Sequence, residues 1–111
     1  VKEILDRHGI LFICDEVQSG FGRCGSLFAI EQFGVEPEIM VMAKGIADGF
    51  PLGATIATPE IADSLKPGEH LSTFGGNPVS CAAALANLAV MRDEDLPGQS
   101  ARKGARTLEQ V

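Results

Sequence analysis

The sequence predicts an α/β fold, in which short strands form a sheet with helical cover. Three short apolar runs have the length of strands, and they alternate along the chain with segments of helical pattern. The first run, Ile10–Cys14, is apolar at every position, which is typical of parallel strands buried on both faces. Thirteen Gly and six Pro among 111 residues indicate many tight turns, and the length allows one domain at most.

Each predicted element has a local reason for its boundaries. Gly9 and Gly34 end helical patterns, and Asn77-Pro78 supplies an N-cap and a first-turn proline. Pro97-Gly98 is expected to separate the last two helices. In chain order the predicted elements are a helix over Val1–His8, a strand over Ile10–Cys14, a short helix over Leu27–Phe33, strands over Ile39–Ala43 and Leu52–Ala57, a short helix over Pro59–Leu65, and helices over Val79–Arg92 and Gln99–Val111.

Composition and charge exclude several classes of protein. With 45% apolar and 22% charged residues the chain is not disordered, and its net charge of −6 disfavours nucleic acid and anionic membrane surfaces as partners. No apolar run reaches the roughly 18 residues of a transmembrane helix. Three cysteines without CxxC spacing indicate an intracellular compartment, cytoplasmic or mitochondrial. The two histidines are far apart in sequence and predict no metal site.

Two of the predicted strands are each followed by an ionisable residue, Asp15 and Lys44. Ligands of open α/β sheets bind beyond the carboxyl ends of strands, so neighbouring strands would place this carboxylate and amine in one crevice. A lysine beside apolar strands suits a Schiff-base nucleophile, and an aspartate can pair with a protonated cofactor ring nitrogen. Two ordinary loop charges would give the same pattern and occur more often.

Two further motifs in this region are typical of nucleotide-binding proteins. Four apolar residues before Asp15-Glu16 have the form of a Walker B strand, in which Asp15 would hold magnesium and Glu16 would activate water. No GxxxxGK[ST] loop occurs in the chain. Gly20–Gly25 matches GxGxxG, but the residues from Asp15 to Ser19 separate it from the strand, which favours a simple turn.

The segment Leu71–Pro78 combines hydroxyl groups, a glycine pair and a helix start. Backbone amides and hydroxyls near a helix N-terminus can bind a phosphate group. Capping by Asn77, with Gly75-Gly76 as a turn, explains the same residues and is the simpler interpretation.

Five segments together form a far more specific pattern: Asp15–Arg23, Pro37–Ile39, Ala43–Gly45, Gly49–Ala54 and Ser72–Pro78. In order and spacing they closely resemble the class III aminotransferases, which are pyridoxal-phosphate enzymes of fold type I. The resemblance implies a mixed, mostly parallel sheet with helices on both faces. Because the chain begins and ends within helical patterns, we expect residues 1–111 to be a fragment from the centre of the large cofactor-binding domain.

The resemblance also implies a role for individual residues. Lys44 matches the lysine that forms a Schiff base with pyridoxal phosphate and then moves the substrate proton. Asp15 matches the aspartate that pairs with the pyridinium nitrogen, which keeps the ring an electron sink. Val17 matches the residue that packs on one ring face, and Gln18 matches the side chain that bonds the ring hydroxyl.

A second subunit is implied by Thr73, which matches the threonine that reaches the cofactor phosphate of the neighbouring subunit in a homodimer. Ser72 would assist beside it. The implied reaction is a ping-pong transfer of an amino group from an amine or amino acid to a 2-oxo acid. The family's upstream phosphate loop, its second ring-stacking residue and its carboxylate-binding arginine are absent here, so we expect the fragment alone to be inactive.

Several alternatives remain open from the sequence. Overall similarity is nearest to the alanine–glyoxylate and 4-aminobutyrate branches, although no substrate-contacting residue supports that ranking. An aminomutase or decarboxylase of the same fold would use the same Lys44 and Asp15. A P-loop ATPase built on Asp15-Glu16, and a non-catalytic protein that kept the fold, are the alternatives from other classes.

Overall fold

A computed structural model describes residues 1–111 and contains the predicted alternation of helices and strands. Two short 3-10 segments, Ala29–Phe33 and Lys44–Ile46, interrupt the regular elements, and the second is called the Lys44 turn below. The regular elements are α1 (Lys2–Arg7), β1 (Ile13–Asp15), β2 (Ile39–Met42), β3 (Ala54–Ala57), α2 (Pro59–Ala62), α3 (Pro78–Asp93) and α4 (Leu96–Leu108).

The three strands form one mixed sheet in the order β1-β2-β3. β1 pairs with β2 in parallel, with Asp15 opposite Val41, and β2 pairs with β3 in antiparallel orientation. The predicted α/β fold with a mixed sheet is therefore confirmed. The parallel pair places the carboxyl ends of β1 and β2 at the same edge, where ligands of such sheets bind.

A small buried cluster lies beside that edge. It joins the loop after β1, the end of β2, the Lys44 turn and α3, and its members are Phe21, Met42, Ile46, Ala47, Ala84 and Met91. The strand faces are less covered than the apolar run Ile10–Cys14 predicted, because Ile10, Leu11 and Ile13 are all more than half exposed. The prediction that this strand is buried on both faces is therefore wrong for the chain as it stands.

An ion pair fixes α1 to the sheet. Lys2 lies 2.5 Å from Glu38, and the other carboxylate oxygen of Glu38 accepts a 2.8 Å hydrogen bond from the Phe12 amide. These bonds hold the pKa of Glu38 below its ordinary value, with the Lys2 contact the largest cause. The start of β2 is thereby held next to the segment that leads into β1.

The boundary between the last two helices differs from the prediction. Pro97-Gly98 lies in the first turn of α4, and the break falls instead at Glu94-Asp95. Asp95 has a left-handed backbone with φ of 49°, and its carboxylate accepts a 3.2 Å hydrogen bond from the Gly98 amide. Proline is tolerated there because first-turn amides have no intrahelical acceptor.

Several other elements are shorter than predicted. The helix predicted over Leu27–Phe33 is a 3-10 segment from Ala29, and α2 ends at Ala62 instead of Leu65. Helix α3 has the expected start, with Asn77 as N-cap and Pro78 in the first turn. No helix is both long enough and apolar enough to cross a membrane.

Candidate active site

The parallel pairing of β1 and β2 brings together the two loops that the sequence singled out. The Glu16 amide continues the ladder with a 2.9 Å bond to the Val41 carbonyl, so both chains leave the sheet side by side. Beyond this point the Lys44 amine donates a 3.3 Å hydrogen bond to Oε1 of Gln18. The two strand ends therefore lie side by side, but the direct neighbour of the Lys44 amine is Gln18 and not Asp15.

An open cavity of about 480 Å³ surrounds the lysine. Its lining combines side chains from the loop after β1, the Lys44 turn and α3: Val17, Gln18, Gly20, Phe21, Arg23, Lys44, Gly45, Asp48 and Met91. Asp15 is absent from this lining, and its carboxylate accepts a 2.9 Å hydrogen bond from the Val17 amide. The carboxylate thus lies one strand away from the amine and is tied to the loop that carries Val17 and Gln18.

Strained backbone is concentrated around this cavity. Four non-glycine residues have positive φ, and three of them line the cavity: Phe21 at 55°, Lys44 at 46° and Asp48 at 43°. Each such residue costs roughly 1–3 kcal/mol and persists only where the surrounding structure imposes it. Residues of this kind cluster at functional sites, and Lys44 is itself one of them.

Glu16 is 1% exposed and holds the loop after β1 in place. Its carboxylate accepts hydrogen bonds from the Ser19 hydroxyl at 2.5 Å and from the Ile30 amide at 2.7 Å. Burial by itself would raise the pKa of Glu16, but these bonds together with the Ala29 amide outweigh burial and hold that pKa below its ordinary value. Both carboxylate oxygens are engaged inside the protein, which leaves none free to activate water as a Walker B glutamate would.

The Gly20–Gly25 motif is explained by close packing. A Cβ at Gly20 would lie 2.8 Å from the Glu16 carbonyl oxygen, and one at Gly25 would lie 2.9 Å from Cβ of Ala101 in α4. Gly25 also has φ of 93°, which an L side chain rarely adopts. These glycines let α4 and the strand end approach the loop.

Ser72 and Thr73 lie outside the Lys44 cavity. Ser72 lines a separate open cavity of about 360 Å³ together with Pro51, Leu52 and Gly53. Thr73 is exposed. The helix that follows has a conventional cap, since Oδ1 of Asn77 accepts a 2.9 Å hydrogen bond from the Ser80 amide. Capping by Asn77 is therefore confirmed, and Thr73 is not among the residues that line the Lys44 cavity.

Three residues near the lysine were not predicted as site residues. Arg23 and Asp48 line the cavity, and Asn87 of α3 donates to carbonyl groups of the Lys44 turn. Sequence patterns single out residues at strand ends and in motifs, whereas Asn87 reaches the site only through packing. A polar residue in the otherwise apolar stretch Ala82–Val90 was the one available signal for it.

The fold and the geometry define a lysine-centred site at the carboxyl edge of an α/β sheet. The profile of the class III aminotransferases ("Aminotransferase class-III") matches residues 1–111. The chain therefore belongs to the class III aminotransferase family. This membership contradicts the alternative of a P-loop ATPase domain.

Relatives of known name are similar along nearly the whole chain. The acetylornithine aminotransferase of Methanopyrus kandleri is 51% identical over 104 residues, which are 94% of this chain and 27% of that protein. The acetylornithine aminotransferase of Corynebacterium efficiens is 52% identical over 111 residues, which are 100% of this chain and 27% of that protein. The chain thus spans about a quarter of the length of the curated relatives it matches.

A solved structure has the same arrangement of elements. An amine transaminase from an uncultivated Pseudomonas species, in its PLP-bound internal aldimine form, superposes with a TM-score of 0.92 at 47% identity. The match covers 98% of this chain and 26% of that structure. The chain therefore has the partial fold of these transaminases, as the sequence predicted.

Proposed function

We propose that the protein is a pyridoxal-phosphate-dependent aminotransferase that moves an amino group from an amine or amino acid to a 2-oxo acid. The observation that carries the proposal is the strained Lys44, held at the carboxyl end of β2 with its amine on Gln18 from the loop after β1. Family membership and the transaminase names of the relatives support the same reaction. Residues 1–111 would form the central part of the large, cofactor-binding domain.

The residues around the cavity fit such a cofactor chemically. Lys44 offers an amine for the aldehyde carbon, and the Gln18 amide offers a hydrogen bond for a ring hydroxyl. Val17 is half-buried in the cavity wall and offers an apolar surface for a ring. When bound, pyridoxal phosphate supplies a ring that accepts the electron pair left when the substrate loses its proton.

Lys44 and Asp15 would have different roles in the proposed reaction. Lys44 would hold the cofactor and afterwards accept and return the proton at the substrate carbon. Asp15 would face the ring nitrogen and favour its protonated form, because a nearby carboxylate stabilises a positive charge. The bond from the Val17 amide holds the Asp15 carboxylate against the loop that carries Val17 and Gln18.

A homodimer is part of the proposal. Ser72 and Thr73 lie in a loop away from the Lys44 cavity, and Thr73 is exposed, so its hydroxyl is available to a second subunit. Exposed apolar side chains beside it, including Leu71 at 85% and Phe74 at 82% exposure, are the kind of surface that a subunit interface covers. Thr73 would contact the cofactor phosphate of the neighbouring subunit from this loop.

The substrate class is narrowed by the comparisons. Relatives named as acetylornithine and ornithine aminotransferases match at 46–52% identity. These names favour ornithine or acetylornithine as the amino donor. The alanine–glyoxylate and 4-aminobutyrate branches stay the second candidates. An intracellular compartment, cytoplasmic or mitochondrial, is proposed from the unpaired state of Cys14, Cys24 and Cys81.

Reductive trapping on the intact protein tests the proposal. The protein is incubated with pyridoxal phosphate, reduced with borohydride and digested, and the modified peptide is identified by mass spectrometry. We expect a phosphopyridoxyl group on Lys44. Without reduction, we expect the carbon that loses its amine to become a carbonyl, which is an aldehyde when the terminal amine of acetylornithine or ornithine is transferred. An adduct on a different lysine, such as Lys2, Lys66 or Lys103, or no adduct at all, would reject the assignment.

The matched variant is Lys44→Arg, which keeps the positive charge but cannot form the covalent bond. Its turnover should fall at least about a thousandfold, because a nucleophile and a proton carrier are lost together. Lys66→Arg, in an exposed loop, is the control and should retain wild-type turnover. Full activity of Lys44→Arg would exclude the proposed chemistry.

A further inference from the structure

Asn87 is the side chain that links α3 to the Lys44 turn. Its amide nitrogen donates hydrogen bonds to the Gly45 carbonyl at 2.7 Å and to the Ile46 carbonyl at 3.3 Å. The other connection between these elements is apolar, with Ala84 in the same buried cluster as Ile46. The asparagine therefore provides the directional part of this contact.

The Lys44 turn has little hydrogen bonding of its own. Its single internal bond joins the Ile46 amide to the Ala43 carbonyl at 3.1 Å, which leaves the Gly45 and Ile46 carbonyls to Asn87. Lys44 begins the turn with φ of 46°, a conformation that an L residue adopts only when its surroundings impose it. The carbonyls held by Asn87 come directly after this strained residue.

We propose that Asn87 is a positioning residue for Lys44. By holding the two carbonyl groups that follow the lysine, it fixes the backbone that directs the amine toward Gln18. Asn87 does not line the Lys44 cavity, so it acts through the backbone and not on a bound molecule. The inference rests on the proposed function, in which Lys44 is the residue that binds the cofactor.

An amide suits this position chemically. Its two N–H hydrogens can serve two carbonyl acceptors from one short side chain. A leucine of similar size would leave both partly buried carbonyls without a donor, and an ionised aspartate would present only acceptors to them. Replacement of Asn87 by leucine or aspartate should therefore remove the hydrogen bonds to the Lys44 turn without leaving a cavity.

The test measures the turn directly in the intact, cofactor-free protein. Hydrogen exchange of the Gly45–Ala47 amides is compared between wild type and Asn87→Leu, together with the Kd for pyridoxal phosphate. We expect exchange at the turn about tenfold faster and a Kd about tenfold higher, which corresponds to the loss of one good hydrogen bond. Leu88→Ala, the neighbouring position on α3, is the control and should leave exchange at the turn unchanged.

A second variant gives a signature that a general loss of packing would not. In Asn87→Asp the protonated side chain keeps one donor hydrogen, whereas the carboxylate has none. Protection of the turn should therefore fall in a single step as pH rises through the pKa of the new residue, after correction for intrinsic exchange. Wild type and Asn87→Leu should show no such step, and this comparison decides the matter if Asn87→Leu does not fold.

The proposal is overturned if Asn87→Leu leaves both exchange and Kd unchanged, if Leu88→Ala loosens the turn equally, or if Asn87→Asp shows no step. Failure of the proposed function is a separate result. It would appear as no adduct on Lys44 in the wild type, while the exchange measurements would still report whether Asn87 holds the turn.

Discussion

Two acidic neighbours at the end of β1 have opposite environments. Asp15 is exposed and tied only to the Val17 amide, whereas Glu16 is 1% exposed and surrounded by hydrogen-bond donors. Alternation along a strand explains the difference, because successive side chains point to opposite faces. One carboxylate is therefore free for chemistry, and the other organises the loop.

Replacement of Asp15 separates its charge from its hydrogen bond. Asp15→Asn keeps an acceptor for the Val17 amide but removes the negative charge, and Asp15→Ala removes both. Turnover should fall at least about a hundredfold in both variants, since the charge that favours a protonated ring is lost. Steady-state kinetics and cofactor titration measure this; we expect Asp15→Ala to bind the cofactor poorly as well. Turnover of Asp15→Asn near that of wild type would remove Asp15 from the proposed mechanism.

Because of the lowered pKa of Glu16, the folded protein should lose stability as the pH falls. The pKa of Glu16 in the folded protein lies below the ordinary value of 4.5, so its stabilising effect is complete above that value and is lost as pH falls through the folded pKa. Urea unfolding of the intact protein between pH 7 and pH 3 should show this loss. Glu16→Gln should lower the free energy of unfolding at pH 7 by about 1–3 kcal/mol and should reduce the acid-induced loss. An unchanged pH profile in Glu16→Gln would contradict this account.

At the scale of elements, helix α4 depends on a glycine in another segment. Gly25 faces Ala101 so closely that an added Cβ would lie 2.9 Å from the alanine Cβ, and the Ser100 hydroxyl donates a 3.0 Å hydrogen bond to the Arg23 carbonyl. The Gly-rich loop and α4 therefore pack closely against each other. The helix itself is amphipathic and carries no fully buried residue, so this contact matters for its position.

Two glycine substitutions should change stability in opposite directions. Gly25→Ala places a Cβ against Ala101 on a backbone with φ of 93°, so the free energy of unfolding should fall by at least about 1 kcal/mol. Gly104→Ala lies within α4 with nothing in 4 Å of the added Cβ, so stability should rise by about 0.5–1 kcal/mol. Thermal unfolding of the two variants checks both signs. Equal shifts in the same direction would show that the contact between loop and helix is unimportant.

At the scale of the whole molecule, the chain buries little of its apolar surface. Ten of 111 residues are buried, while large apolar side chains such as Ile10, Leu11 and Ile13 are more than half exposed. An α/β sheet normally covers such strands on both faces. The long axis of 51 Å against a short axis of 21 Å agrees with a flat arrangement that a single sheet and a few helices produce.

The 111 residues by themselves should therefore neither bind the cofactor tightly nor remain monomeric. Exposed apolar patches drive association, and the Lys44 cavity is open to solvent. Expressed alone, the chain should bind an apolar dye strongly, elute from a sizing column as aggregates, and show no visible absorbance change with micromolar pyridoxal phosphate. A monomer that forms a stable adduct on Lys44 would contradict this expectation.

Sequence and structure agree most closely where the signal is local. The N-cap at Asn77 and the first-turn position of Pro78 both follow from neighbouring residues. Agreement is poorer where helix ends depend on side-chain geometry. The break before α4 is made by the left-handed backbone of Asp95, which no local pattern indicates, so the Pro97-Gly98 boundary was misplaced.

By itself, the sequence determined the fold class, the family resemblance and the residues at the two strand ends, because apolar periodicity and motif spacing are properties of neighbouring positions. Only the tertiary structure decided which side chains meet. It put Gln18 on the Lys44 amine and buried Glu16 among hydrogen-bond donors. It also gave Lys44 a strained backbone and bonded Asn87 to the carbonyls that follow it. These contacts join residues between 14 and 42 positions apart, and packing of the whole chain, not local preference, sets such distances.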